Sequence, residues 1–495
     1  MIAAVLMVAI HSAVFVKQDL DIQIPRSQEP VSDKYVRYVD LDRDGLNDIL
    51  TRESLVPQVD GRFANDRVHP LPTFEGRGAA DIWEGELYVR FASALSVLRW
   101  KDGKWERILQ QEIAFPPETP TGMGDDRDPA VQSPLHHFER FLYDLDGDDR
   151  PEIVLPSENG LAVFARKGPF FAPAGVLRYN AQPAVLPMDA LLWPEARRRI
   201  ALPVVAFTHR FAIEGNHVLL LRDQIFDHMQ GQSRWVLEQY DILSGEEYSL
   251  SADGTVLSES NPVRGLPVFL NKDEHVDFIA DEVSYNTDKA TPTPTFSVHV
   301  STNGGRSFDT IRNTSLSTAP AFGDMNGDGR QDLIVDRTTL FDAGLRETFL
   351  RVMTRSQLEH EVRIHFQSKT GSFAQSPDVT RTFTLELGKP IVQPSPMQQR
   401  YTSGRLFDYR GDFDGDGRND VLVQERPTRL SVYLMTDSGL SGKPYATVDS
   451  TEITDFGVCD LDGDGRSDLV VGVCDSEAGD EIFRSVVYLT RDNAP

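Results

Sequence analysis

Cysteine is almost absent from this 495-residue chain: Cys459 and Cys474 are the two it has. A disulfide framework is therefore not what holds it together. The pair flanks an acidic loop, several residues out of register for a bridge whose Cα atoms must come within about 7 Å. Cationic side chains are also scarce, 50 Lys and Arg against 76 Asp and Glu, for a net charge of −26. That balance argues against nucleic acid or an anionic membrane as partner, because both repel a polyanion. Beyond the first 16 residues no apolar run approaches the roughly 20 residues that a membrane-spanning helix needs. Catalytic signatures are missing too. No Gly-x-Ser-x-Gly elbow, phosphate-binding loop or dinucleotide fingerprint occurs, so catalysis has no support here.

What the chain does have is one acidic loop repeated five times. The copies begin at Asp40, Asp144, Asp324, Asp412 and Asp460, and an apolar β-like run follows each. Oxygen donors recur at positions 1, 3, 5, 7 and 9. In the first copy these are Asp40, Asp42, Asp44, the carbonyl of Leu46, and Asp48. The second has Asp144, Asp146, Asp148, Arg150 and Glu152, and the third Asp324, Asn326, Asp328, Arg330 and Asp332. The fourth has Asp412, Asp414, Asp416, Arg418 and Asp420, and the fifth Asp460, Asp462, Asp464, Arg466 and Asp468. A tight loop with this spacing turns three carboxylates toward one point. A residue at position 7 adds its backbone oxygen, and position 9 closes the cage. Calcium wants six to eight oxygens, whereas magnesium resists an all-protein cage. A glycine at position 6 permits the bend. Without a cation the carboxylates repel one another. Four to five calcium ions are the expectation.

An EF-hand opens the same way but requires a bidentate Glu at position 12. Here position 12 is Thr51, Leu155, Val335, Val423 or Val471. The residues after position 9 are β-branched and continuously apolar, which is the composition of a buried strand. Position 9 thus ends a loop and starts a strand.

The position-9 residues fall at 48, 152, 332, 420 and 468, and a worn sixth copy, Asn271 to Asp277, lacks the first ligand. The shorter intervals define a unit of about 50 residues, and the longer ones leave room for units without acidic loops near 75–115 and 185–245. Gly85–Phe91 and Ile200–Phe207 read as strands in those gaps. Second strand patterns appear at Phe296–Val300, Val362–Phe366 and Leu430–Leu434. The unit is therefore four short antiparallel strands. Such a unit buries both faces only among neighbours, as in an all-β propeller, here of eight blades or alternatively seven. The acidic loops would join the first and second strands of several blades. The last unit shows only three strands, and the run from Ala13 to Ile24 is available as its fourth, which would close an open edge.

These loops resemble the FG-GAP or VCBS-type repeats of integrin α-subunit propellers and of many secreted bacterial proteins. The resemblance runs from about Tyr35 to Leu489. It implies a single propeller over 17–495 and a calcium-stabilised binding or adhesion protein that recognises a protein or glycan. Fold analogy alone also offers a calcium-dependent polysaccharide lyase, for which no catalytic residue can be named. The second copy departs from the pattern, with Asp149 and Pro151 at positions 6 and 8.

Residues 1–16 read either as a signal segment or as a closing strand: the stretch is apolar, but no basic residue precedes it. Loop sites of this kind fill where calcium is millimolar, so a secreted, periplasmic or cell-surface location is expected. Arg410-Gly-Asp412 spells an integrin-recognition tripeptide, yet its aspartate is a loop ligand. His136, His137, His209 and His217 lack zinc-site spacing. Five tryptophans, Trp83, Trp100, Trp105, Trp193 and Trp235, are read as core. The spacing of Phe341, Leu345, Phe349, Val352 and Met353 predicts a helix over 341–355. That helix and the loops at 117–134 and 287–295 are the expected partner-binding surface.

Overall fold

β-Branched runs between tight turns give a structure whose described elements are all strands. The computed structural model describes residues 14–491 apart from 21–35, 61, 64–67, 75–77, 92, 117–134, 139, 158–159, 179–210, 215, 228–231, 246, 260–264, 269, 271–276, 285–292, 303–306, 314–319, 339–356, 387–405 and 478–479. Among the described residues there is no helix, and eight sheets of four or five strands account for most of those residues. The expected helix at 341–355, the strand at 200–207, the loop at 117–134 and Asn271 to Val276 lie outside the described residues.

Two compact units divide the chain. The inner unit comprises Ser32–Leu316 and Gln367–Gln375, and the end unit comprises Met1–Val31, Ser317–Phe366 and Ser376–Pro495.

The inner unit holds five sheets. The first pairs Val36–Val39, Asp48–Thr51, Ser54–Val56 and His69–Pro70 in chain order. The second runs Gly78–Trp83, Glu86–Arg90, Ala94–Lys101 and Lys104–Glu112, with Leu135–Phe138 added parallel to the first strand. The third contains Leu142–Tyr143, Glu152–Ser157, Gly160–Lys167 and Phe170–Arg178. The fourth is built on Phe211–Glu214, His217–Asp227 and Gln232–Leu243, and the fifth on Gly265–Val268, Asp277–Ser284, Thr293–Thr302 and Ser307–Asn313.

The end unit holds three sheets. The sixth pairs Ala321–Gly323, Asp332–Thr338, Gln357–His365 and Val379–Glu386. The seventh pairs Phe407–Asp408, Val421–Arg426, Arg429–Tyr433 and Ala446–Asp449. The eighth pairs Glu452–Cys459, Asp468–Glu477 and Asp480–Arg491, and its fourth strand is the N-terminal Val14–Leu20. That strand is antiparallel to the last one, from Val14 opposite Arg491 to Leu20 opposite Ser485. Phe15 packs edge-on against Phe413 and Tyr488, so its burial fixes this register.

Within each unit, the first to fourth sheets and the sixth to eighth sheets share cores with their neighbours in the chain. Leu50 and Leu55 of the first sheet pack with Leu87, Val89 and Leu98 of the second, and Tyr88 and Val97 of the second with Ile153 and Phe164 of the third. Val163 and Leu177 of the third meet Ile213 and Val218 of the fourth. In the end unit Ile364 and Leu385 of the sixth sheet meet Val421 and Tyr433 of the seventh, while Leu422 and Val432 meet Val471 and Val486 of the eighth. Each strand therefore buries alternate residues on opposite faces, and central strands read as continuous apolar runs.

One sequence expectation is corrected. Thr293, Pro294 and Thr295 are not loop but the start of a strand, opposite Ser284, Val283 and Glu282. The partner on the other side begins only at Phe296. Among the described residues Pro294 has a ladder partner on one side alone, which is where a sheet tolerates a residue without an N–H. Both cysteines are free, with Cys459 opposite Asp468 and Cys474 opposite Glu452.

Candidate metal loops

Each acidic loop joins two consecutive antiparallel strands of its sheet: the first two in the first, third, sixth and seventh sheets, and the two that follow the N-terminal strand in the eighth. Position 9 opens the second strand in four of these sheets and precedes it by one residue at Asp420. The second sheet turns instead through Glu84 and Gly85, without an acidic loop.

The position-1 carboxylate organises the bend. Asp412 Oδ1 accepts the amides of Gly415 at 2.7 Å and Asp416 at 3.2 Å, and its Oδ2 accepts Gly417 at 2.8 Å. Asp40, Asp144, Asp324 and Asp460 do the same with the amides of Gly45, Asp149, Gly329 and Gly465. The position-5 carboxylate accepts the position-7 amide in every loop, at 2.8–3.0 Å. The backbone turns left-handed twice, at position 4 as well as at the expected position 6. Gly415 and Gly417, for example, have φ of 76° and 84°. Arg43 (64°) and Asp149 (62°) adopt this conformation without being glycine, at a local cost.

Position 9 is buried in all five copies: Asp48, Asp332, Asp420 and Asp468 are 0% exposed and Glu152 is 3%. Its carboxylate takes the position-2 amide, from Leu41, Leu145, Met325, Phe413 or Leu461. In three copies it also takes an amide from further along the sheet: Gln58, Met435 or Thr490. Position 9 is thus first a fastener of backbone. Ligand spacing alone gave no signal of that second role. Burial pushes Asp420 up to about 8 and Asp48, Glu152 and Asp468 up to about 7, although their amide hydrogen bonds pull the other way. Burial, helped by neighbouring carboxylates, also raises Asp42, Asp414 and Asp462.

Four loops bring three acidic groups together with one oxygen each within 4.8 Å of the others: Asp40, Asp42 and Asp44; Asp144, Asp146 and Glu152; Asp412, Asp414 and Asp420; Asp460, Asp462 and Asp464. Oxygens bonded to one calcium at 2.3–2.6 Å lie no more than about 5.2 Å apart, so each trio fits one sphere. The donor set is hard oxygen throughout, which suits calcium. In the third loop Asn326 replaces a carboxylate, and its amide oxygen accepts the Asp328 amide at 3.1 Å. The position-7 residues Leu46, Arg150, Arg330, Arg418 and Arg466 take part through their N–H groups.

Several contacts escape sequence reasoning. Arg491 pairs with Asp462 and lies 3.9 Å from Asp464, so the last strand lends the fifth loop a cation. Arg330 pairs with Asp328, and Arg418 with Asp416 and Asp437. The Tyr248 hydroxyl donates to Asp146 at 2.8 Å. In the Arg-Gly-Asp tripeptide, Arg410 is held by Asp408 and the Asp412 carboxylate is taken up by loop amides. His217 pairs with Asp241 across two strands. Trp100 is buried against His69 and Trp105.

The fourth loop, its sheet and the fifth loop form one continuous stretch. Residues 412–471 match the FG-GAP-like repeat. The match spans both loops and the first residues of the strand that follows the second. No curated protein matches the chain. Among solved structures, a Photorhabdus luminescens Tc holotoxin pore aligns over 96% of this chain and 20% of its own, at 13% identity and a TM-score of 0.28. The V. cholerae biofilm matrix protein Bap1 aligns over 93% of this chain and 77% of its own, at 13% identity and a TM-score of 0.25. The chain thus spans about a fifth of the first of these structures. Among the described residues, no helix is long and apolar enough to cross a membrane.

Proposed function

We propose that the chain is a calcium-stabilised β-propeller that binds a protein or glycan outside the cytosol or at the cell surface, with the eight sheets as its blades. The observation that carries the calcium reading is the convergence of three acidic oxygens within 4.8 Å in four separate loops. The residues that would hold the ions are those at positions 1, 3, 5 and 9 together with the carbonyls of position 7. A divalent ion there neutralises carboxylates that burial and mutual repulsion otherwise push toward protonation. Five ions would bring the net charge from −26 to −16. The propeller reading is supported by sheets of four or five strands, several of which share cores with a neighbour in the chain, and by the N-terminal strand that completes the last sheet.

In this reading the ions stiffen hairpins and the partner binds elsewhere. Protein oxygens at five loop positions leave one or two coordination places for water. The FG-GAP-like repeat at 412–471 supports a binding role over a catalytic one, since the loop residues are engaged in holding their own backbone. A glycan and polysaccharide array probed in calcium, and scored for both retention and cleavage, tests it. Retention without cleavage is the expected result. Cleavage would favour the lyase reading.

A further inference from the structure

Three acidic loops of the end unit touch one another in a repeating way. The amide of Asn419, position 8 of the fourth loop, donates to the carbonyl of Asp324, position 1 of the third, at 2.7 Å. The amide of Ser467, position 8 of the fifth loop, donates to the carbonyl of Asp412, position 1 of the fourth, at 2.6 Å. Ser467 adds a return bond, its Oγ accepting the Asp412 amide at 3.0 Å. Position 7 repeats the rule. A Cβ placed on Gly327 would come within 3.1 Å of Arg418 Cγ, and one on Gly415 within 3.3 Å of Arg466 Cγ. The position-4 glycine of each loop is thus the seat for the arginine of the next.

The residue so gripped is the one on which its loop depends. The Asp412 carboxylate gathers the amides of Gly415, Asp416 and Gly417. Its backbone is held on both sides by Ser467, which belongs to a different loop. The Ser467 carbonyl is in turn held by the Thr490 hydroxyl at 2.7 Å, and Asp468 by the Thr490 amide. The grip therefore runs from the last strand to the fifth loop, then to the fourth and the third.

We propose that Ser467 and Asn419 are positioning residues for the cation site of the preceding loop, so that the three loops fill as a coupled row and not independently. The proposal rests on the calcium reading above. Ordering the fifth loop fixes Ser467, which fixes Asp412 and lowers the ordering cost of the fourth loop. That is coupling through a shared two-state element.

Protein labelled with 15N-glycine tests this, because the position-6 amides of Gly329, Gly417 and Gly465 each donate to a position-1 carboxylate and report their own loops. Calcium is titrated into wild type, Ser467→Ala and Asp464→Ala. Ser467→Ala leaves every ligand of both loops in place and removes one hydrogen bond, so the Gly417 midpoint should rise, by up to about fivefold, and because coupling is reciprocal the Gly465 midpoint should rise with it. Asp464→Ala disables the fifth loop and should also raise the Gly417 midpoint. Wild-type shifts with the Gly417 midpoint unmoved in both variants would overturn the coupling alone. No glycine shift in the wild type would overturn the calcium reading itself, and the coupling with it.

Discussion

The Asp468 carboxylate accepts the amide of Thr490 at 2.7 Å and that of Leu461 at 2.8 Å. One buried side chain thereby ties the start of its loop to the end of the last strand, 22 residues on. The same arrangement holds at Asp420, with Phe413 and Met435, and at Asp48, with Leu41 and Gln58. A carboxylate in this place serves the backbone whether or not an ion is present.

Removing it should therefore cost stability under all conditions. Asp420→Ala leaves two buried amides without an acceptor, a loss of about 2–4 kcal/mol. The loss should persist in chelator. Asp414→Ala should differ: it costs stability in calcium, and in EGTA it is neutral or stabilising because it relieves repulsion. Urea denaturation of both variants in both buffers decides this, and parallel behaviour would mean the two positions share one role.

The pH dependence of the metal-free protein has a definite sign. Asp420 is raised to about 8 and Asp48, Glu152 and Asp468 to about 7, from ordinary values near 4. Between those limits the native state binds more protons than the unfolded chain, so stability falls as pH rises. In EGTA the melting temperature should drop from pH 5 to pH 8. In millimolar calcium the drop should flatten or reverse, since the ion takes the protons' place. A rise with pH in EGTA would contradict the burial argument.

Much of this was legible in the chain. Spacing located all five loops and the strands after them, because ligand chemistry and β-branched runs are local signals. It also pointed to the N-terminal run as a fourth strand, because an incomplete sheet leaves edge groups unpaired. The position-4 left-handed turn has a signal that spacing of ligands does not use: Gly147, Gly327, Gly415 and Gly463 mark it in four copies, and only Arg43 in the first does not. The second role of position 9 was hidden. Its partners Gln58, Met435 and Thr490 lie 10, 15 and 22 residues on, at distances that only the sheet register sets. The strand at Thr293 was not legible because Pro292 and Pro294 resemble a loop in sequence, and only the pairing with Glu282, Val283 and Ser284 shows a strand.

Asp149 is the aspartate of the second loop that sits where other copies have glycine, at φ 62°. Asp149→Gly should stabilise the protein by about 0.5–1 kcal/mol, by removing the Cβ penalty of the left-handed region. Thermal denaturation reads the effect. A lower melting temperature would show that its side chain does something the loop needs.

Arg491 competes for the fifth loop by pairing with Asp462. Arg491→Gln should tighten that loop's calcium affinity about threefold, in line with a partly exposed ion pair. A Gly465 amide titration isolates the site. Weaker binding in the variant would make Arg491 a support for the loop and not a rival for its ligands.

The central claim is that the acidic loops are calcium cages that stiffen the fold. Elemental analysis of the purified protein, paired with melting curves in calcium and in EGTA, tests it most directly. The account predicts four to five calcium ions per chain and a large fall in melting temperature on chelation, each site being worth about 2.7 kcal/mol at a hundredfold excess of ion over its dissociation constant. A chain that carries no calcium and melts at the same temperature in both buffers would contradict it.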